Sequence, residues 1–273
     1  MNKFKTLFKN KKPIIGMVHL PPLPGAPLYN PSTSWEDIRK FALNDAKALI
    51  EGGVDGIQVE NQFDIPFQLP DSLGIETVAF ITAIACEIRN KYPVFPIGVH
   101  ILLNCDLQAL AAAKASGANW IRVFNLANAY ISNSGYISAS GPELMRFRNT
   151  IHANDILIFG DFQVKHGSHA ITADRSILEK AQDIETSLGD AVIITGTATG
   201  TPPDSESILS IKGKLSIPVL VGSGLSIKNL QYIWPHVDGA LIGTSFKKDN
   251  RLSAPVDINA VRRFVDQANS IGS

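Results

Sequence analysis

Val219-Leu220-Val221-Gly222-Ser223-Gly224 closes one apolar run, and Gly239-Ala240-Leu241-Ile242-Gly243-Thr244-Ser245-Phe246 closes the next. Each run is short, aliphatic and free of charge, the pattern of a strand covered on both faces. Each ends in Gly with Ser or Thr, where backbone N–H groups and hydroxyls are left uncovered. Two such ends side by side suit a phosphate, and in an eight-stranded β/α barrel they fall after the last two strands. A helix N-terminus following them would add donors and a favourable dipole. The expected phosphate-binding residues are Gly222, Ser223 and Gly224, then Gly243, Thr244 and Ser245, together with Gly196 at the end of the preceding run.

Outward from these two runs, six more strand-like stretches can be read. All eight, in order, are 13–18, 56–60, 95–102, 120–124, 156–162, 191–195, 217–221 and 239–242. Helical stretches fill the gaps. Residues 34–50 open with a Ser34-x-x-Asp37 cap. Ser140-Gly141-Pro142-Glu143 reads as a capping box with Pro in the first turn, and Ile258, Val261, Val265 and Ala268 mark the last helix. A weak internal repeat supports the register. Gly53-Val54-Asp55-Gly56-Ile57, Gly117-Ala118-Asn119-Trp120-Ile121 and Gly189-Asp190-Ala191-Val192-Ile193 each put Gly at a helix end, then a turn, then a strand. Val237-Asp238-Gly239 is a variant without the leading Gly. Repeated strand, helix and turn give a parallel sheet. A doubly wound open sheet is the alternative, but eight units with paired Gly ends favour a single-domain (β/α)8 TIM barrel over residues 13–273, preceded by a basic extension over 1–12.

The chain has 273 residues, and barrels reach this size as one domain. Lys plus Arg balances Asp plus Glu at a formal net charge of +0, which argues against a nucleic-acid partner. Two cysteines, Cys86 and Cys105, form neither a disulfide framework nor a metal spacing, so a reducing cytoplasm is expected. The basic segment carries Phe4, Leu7 and Phe8 on one face. It reads either as a weak membrane-surface anchor or as a lid over the bottom of the barrel. No run reaches transmembrane length.

Residues at the strand ends carry the chemistry. The expected catalytic groups are Glu60, Asp161 and Lys165, and the expected substrate contacts are His19, Asn61, His100, Asn104, Arg122, Asn125, His166 and Thr195. Asp161, Gln163 and Lys165 alternate, so an extended chain would aim all three at one face. Glu60 and Arg122 are charges inside buried strands and need partners. The bland alternative is a structural Glu60–Arg122 or Asp161–Lys165 ion pair. His100 reads equally well as a hydrogen-bonded interior residue, and Cys105 as packing. His19, His166 and Asp161 could bind a metal, but no His-x-His or His-x-x-x-His spacing supports one, so neither metal nor cofactor is expected. Proline-rich stretches after strands one and two, 20–27 and 63–74, read as shaped walls of the mouth.

Gly16-Met17-Val18-His19-Leu20-Pro21-Pro22-Leu23-Pro24-Gly25 resembles the opening signature of the BtpA family, named for a photosystem I biogenesis protein. Val59-Glu60-Asn61 with Asp64-Ile65-Pro66-Phe67, Val164-Lys165-His166 after Asp161, Val221-Gly222-Ser223-Gly224, and Gly243-Thr244-Ser245-Phe246-Lys247-Lys248-Asp249 are similar to its later blocks. The resemblance runs over about 13–264. It implies a TIM-like barrel and two divergent roles. One is a factor for photosystem I accumulation. The other, from relatives lacking photosynthesis, is metabolism of a sugar or nucleoside phosphate. Val99-His100-Ile101 stands where many members carry Asn, and Leu103-Asn104-Cys105-Asp106 replaces a more usual Arg-Asn-Asp run, which implies a modified specificity if those positions bind substrate.

The combined expectation is an enzyme acting on a small phosphorylated sugar or nucleotide-like metabolite by acid–base or Schiff-base chemistry. The alternative is a non-catalytic photosystem I assembly factor. Self-association into a homo-oligomer is left open.

Overall fold

Pro13, Pro96 and Pro218 mark where three of the barrel strands can begin, because a residue without an N–H cannot donate to a ladder. The computed structural model describes residues 3–9, 11–196 and 203–272, so Met1, Asn2 and Asn10 of the extension lie outside the described residues. Its strands are β1 (Ile14–His19), β2 (Gly56–Glu60), β3 (Ile97–His100), β4 (Trp120–Val123), β5 (Tyr130–Ser132), β6 (Gly135–Ile137), β7 (Leu157–Phe162), β8 (Ala191–Ile194), β9 (Val219–Gly222) and β10 (Gly239–Ile242). Eight of them close a parallel barrel in the order β1-β10-β9-β8-β7-β4-β3-β2, and β5 and β6 form a separate antiparallel hairpin. The single-domain TIM barrel is therefore what the chain builds. The expected strands at 95–102 and 217–221 start late, at Ile97 and Val219, one residue after a proline in each case. The hairpin lies within 125–139, a stretch read from the sequence only as a long connection.

The helices are α1 (Lys3–Leu7), α2 (Trp35–Gly52), α3 (Ile75–Lys91), α4 (Asp106–Ser116), α5 (Gly141–Thr150), α6 (Ile177–Thr186), α7 (Ser205–Ile211), α8 (Leu230–Ile233) and α9 (Ile258–Gly272). None among the described residues is long and apolar enough to cross a membrane. Helix α2 has the expected capping box, with Asp37 N–H donating to Ser34 Oγ and Ser34 N–H donating to Asp37 Oδ2. The box expected at Ser140 does not form. Ser140 already has helical dihedrals (φ −89°, ψ −16°), whereas a capping residue must be extended for its side chain to reach the first turn. Its hydroxyl donates instead to the Asn125 carbonyl at 3.3 Å.

The repeat has a structural cause. Asp55, Asn119, Asp190 and Asp238 sit in equivalent turns before β2, β4, β8 and β10. Each side chain accepts the backbone N–H near the start of the strand next to it: Ile14 (3.0 Å), Ile97 (3.0 Å), Ile158 (2.9 Å) and Val219 (2.9 Å). Each turn residue also donates its own N–H to the carbonyl of that same residue. Four reciprocal clamps thus fasten strand pairs at the bottom of the barrel. Gly53 and Gly117 take the left-handed conformation expected at a helix end (φ 99° and 70°), but in the third repeat Leu188 takes it (φ 66°) rather than Gly189.

Inside the barrel, Trp120, Leu157, Phe159, Ile193, Leu220 and Leu241 pack into a closed apolar layer. Phe4 and Phe8 of the N-terminal segment complete it from below. Phe4 lies 5.7 Å from the Phe159 ring and Phe8 5.8 Å from the Trp120 ring, centroid to centroid. The segment is the barrel's floor. Its phenylalanines are spent on that packing, which removes the apolar face the membrane-anchor reading required.

Candidate functional site

Above the apolar layer the barrel interior turns polar. His19, Glu60 and His100 stand level in the strand register, His19 opposite Glu60 and Glu60 opposite His100. That alignment makes Glu60 a bridge: Oε1 lies 3.2 Å from His19 Nε2, and Oε2 lies 3.1 Å from His100 Nδ1. Gln58, one inward position below, donates to Oε2 at 3.2 Å. Burial would raise the Glu60 carboxyl, but the bonds with His100 and His19 outweigh it and hold it well below the usual carboxylate range. Burial lowers the His100 imidazole despite its bond with Glu60.

Arg122 reaches from β4 to Asp161 on the neighbouring β7, with Nε donating to Oδ1 at 2.8 Å and an NH2 hydrogen to Oδ2 at 2.7 Å. The Arg122 guanidinium also lies over the Phe124 ring at 4.9 Å. The two ion pairs considered from the sequence are therefore not the ones formed. Glu60 pairs with the histidines beside it in register, and Asp161 pairs with Arg122.

Lys165 arrives at the mouth by a route the alternation argument did not foresee. Strand β7 ends at Phe162, and Gln163 turns the chain with a φ of 53°. Beyond that turn the Lys165 amine comes to 3.5 Å from Ser223 Oγ. Burial lowers its pKa, and the Arg122 charge lowers it further, against the opposing pull of Glu60 and Asp161. Lys165, His19, Glu60 and Arg122 share a small cleft of about 50 Å³ with Ser223, Gly224, Gly243, Thr244 and Ser245.

The glycines of the two strand ends have separate duties. A Cβ on Gly222 would come within 2.6 Å of Ile193 and 3.1 Å of the Arg122 guanidinium, and one on Gly243 within 2.9 Å of the His19 ring. Both leave room for polar side chains inside the barrel. Gly222 does not line the cleft; Ser223 and Gly224 do, both left-handed at φ 89° and 74°. No long helix begins directly at either end. Thr244–Phe246 is a single 3-10 turn, and α8 is four residues long and begins at Leu230. The expected helix dipole is absent there for that reason. The loop after β10 is anchored by Lys247, whose buried amine pairs with Asp45 of α2.

Thr195, Gly196 and His166 line a second cavity on the other side of Lys165. The three asparagines hold loops. Asn61 Oδ1 accepts the Leu102 N–H at 2.8 Å, and its amide donates to Asp64. Asn125 donates to the Asn128 and Ile137 carbonyls, and Asn104 to that of Ser138, so both brace the β5–β6 hairpin. That hairpin roofs part of the mouth, packing Tyr130 and Ile137 against Leu102, Leu103, Phe124 and Val164.

Sequence reasoning gave no role of its own to Gln62, which lines the cleft, or to Asp106, which is buried beside the roof and entered only as part of the 103–106 departure from the family pattern. Gln62 was legible in principle, two residues beyond Glu60. Asp106 begins α4, where an acid reads as an ordinary first-turn residue. Burial, with the Asp161 charge adding to it, pushes the Asp106 carboxyl up to about 7.

The BtpA family model matches residues 10–270. An uncharacterized protein of Methanocaldococcus jannaschii is 37% identical over 97% of this chain and 98% of its own length. The photosystem I biogenesis protein BtpA of a Synechocystis species is 33% identical over 97% of this chain and 91% of its own. Among solved structures, a thiamine phosphate pyrophosphorylase from Pyrococcus furiosus matches with a TM-score of 0.59 at 12% identity, over 98% of this chain and 100% of that one. At that identity the likeness concerns the fold.

Proposed function

The chain belongs to the BtpA family, and on that premise we propose that it is an enzyme acting on a small phosphorylated sugar or nucleotide-like metabolite by acid–base or Schiff-base chemistry. One observation carries this reading. A lysine amine shifted toward its neutral form stands beside the Ser223-Gly224 and Gly243-Thr244-Ser245 turns, in a cleft that also holds Glu60 and His19.

In this reading the two turns hold the phosphate, with the Lys165 charge or hydroxyls of Ser223 and Thr244 at its edge. Once deprotonated, the Lys165 amine either accepts a proton from the substrate or adds to a carbonyl carbon with loss of water. Glu60, held ionised by two imidazoles, fixes their orientation and supplies a negative charge at the cleft. Asp161 has both oxygens committed to Arg122, so its part is to hold that guanidinium in place rather than to transfer protons.

The test is Lys165→Met, which keeps most of the aliphatic volume and removes the amine. A thermal-shift screen of sugar phosphates and nucleotides supplies the substrate, since a ligand of the native state raises its stability. Turnover abolished in a folded Lys165→Met protein supports the reading, and turnover near the wild-type rate rejects it.

The second reading is a non-catalytic factor for photosystem I assembly. It draws on the name of the Synechocystis relative. It requires that Lys165→Met and other cleft variants leave photosystem I accumulation unchanged.

A further inference from the structure

Eight buried side-chain atoms have no hydrogen-bond partner among the described residues, and five of them belong to four residues around the β5–β6 hairpin: His100 Nε2, Asn104 Oδ1, both Asp106 carboxyl oxygens and the Tyr130 hydroxyl. The other three are spread over His19, Arg89 and Thr195. His100, Asp106 and Tyr130 are each 1% exposed. Several contacts tie the four residues to one place. The His100 ring stands 4.5 Å from the Phe124 ring, centroid to centroid, and Phe124 packs with Tyr130 in the roof. The Asn104 amide donates to the Ser138 carbonyl at the foot of the hairpin, 3.3 Å away. The Asp161 charge acts on His100, Asp106 and Tyr130 alike. The Ser140 hydroxyl near Asp106 donates to the Asn125 carbonyl. Buried polar groups are ordinarily paired, so a group of four left unpaired in one place calls for an occupant.

The unpaired atoms define what that occupant must bring. The Glu60 carboxylate can only accept, so His100 Nδ1, 3.1 Å from it, carries the hydrogen. Burial favours the neutral ring, which leaves Nε2 as a bare acceptor. Asn104 Oδ1 is a second acceptor, and the Asp106 oxygens are further ones. Tyr130 can donate as well as accept. A phosphate or carboxylate would bring acceptors to acceptors, beside the Asp161 charge. A hydrocarbon would leave all five atoms unpaired. An ammonium would bring donors but nothing for the Tyr130 hydrogen, and the Arg122 guanidinium already lies over the same Phe124 ring at 4.9 Å. Hydroxyl groups both donate and accept, and so match the whole set.

We propose that His100, Asn104, Asp106 and Tyr130 form a subsite for the hydroxyl-bearing end of the ligand, and that the β5–β6 hairpin lifts to admit it. The hairpin's attachments are few enough for that movement. Ile131 exchanges two backbone bonds with Ser168, at 3.1 and 2.8 Å, and the remaining ties run through Asn104, Asn125 and the Ser134 hydroxyl, which donates to the Phe67 carbonyl. The inference rests on the reading of the mouth as a site for a phosphorylated metabolite. It narrows that class to polyhydroxylated compounds, and makes Asp106 and Tyr130 contacts of the sugar hydroxyls.

Isothermal titration of the full chain with inorganic phosphate, ribose 5-phosphate and n-pentyl phosphate tests it, because the two esters share a five-carbon skeleton and differ in hydroxyls. Ribose 5-phosphate is expected to bind at least about tenfold more tightly than pentyl phosphate, since a site built to bond a hydroxyl rejects the analogue lacking it. Tyr130→Phe and Asp106→Leu should each cut that advantage by about fivefold or more and leave pentyl phosphate binding unchanged. Tyr130→Phe should also unfold at or above the wild-type temperature, because the hydroxyl it removes has no partner in the ligand-free protein. Equal binding of the two esters overturns the inference and leaves the phosphate reading standing. An advantage that survives both variants overturns it as well. A Tyr130→Phe protein clearly less stable than the wild type, with the advantage intact, would assign the space to ordered water and reject the subsite. Binding of none of the three compounds overturns the phosphate reading and this inference with it.

Discussion

Arg122 and Asp161 meet inside the barrel as a two-bond fork, 2.8 Å and 2.7 Å long, with the Asp161 side chain fully buried and that of Arg122 6% exposed. The same Arg122 charge lowers the pKa of Lys165. The fork therefore fixes a cation beside the lysine amine while preventing that cation from standing unpaired in a dry interior.

Breaking one side of the fork should be costly. Asp161→Asn leaves a buried guanidinium short of its counter-charge, and removal of one partner of a buried pair costs about 3–5 kcal/mol. Urea unfolding at pH 7 measures it. The double variant Arg122→Met/Asp161→Leu should recover most of the loss, because neither charge then remains buried. A single variant as stable as the wild type would show that the fork does not bear on the fold.

Asp106 should make stability fall as pH rises. Its folded pKa of about 7 lies above that of an unfolded aspartate, so the folded state holds the proton more tightly between those two values. Stability is greatest below the unfolded value near 3.9 and is lost progressively until about pH 7, by about 4 kcal/mol in all. Asp106→Asn removes the titrating group. Against the wild type it should gain stability steadily from pH 4 to pH 7 and show little difference at pH 4. Unfolding curves across that range that run parallel for the two proteins would contradict the assignment.

The N-terminal floor should act as core. Phe8 is 3% exposed and packs on Trp120, so Phe8→Ala should cost about 3–5 kcal/mol, the usual loss for a large aromatic core side chain. Vesicle flotation of the wild-type protein should show no binding through this segment. Loss of stability under 1 kcal/mol together with vesicle binding would restore the anchor reading.

The barrel was legible because strands buried on both faces leave continuous aliphatic runs, and because the Asp55, Asn119, Asp190 and Asp238 turns repeat a local requirement of the bottom clamps. The residues that gather at the mouth were legible from strand-end position alone: His19, Glu60, Arg122 and Lys165 all reach one cleft. Their pairing was not. Which residue Glu60 bonds depends on the strand register, which sets His19 and His100 level with it, and no residue type announces that alignment. The route of Lys165 was hidden for a different reason. A non-glycine at positive φ, Gln163, ends the alternation on which the strand argument relied. Asn61, Asn104 and Asn125 show the same limit from the other side, since a polar residue at a mouth serves loop backbone as readily as substrate.

The most direct measurement of the central claim is the affinity of ribose 5-phosphate for the wild-type protein and for Gly224→Val, read by titration calorimetry on folded samples. A branched side chain at Gly224, held at a φ of 74° on the wall of the cleft, obstructs close approach of the backbone to a phosphate. The account predicts saturable binding in the wild type and none in Gly224→Val, with Lys165→Met weakened at least tenfold. Wild-type affinity in a folded Gly224→Val protein would contradict it.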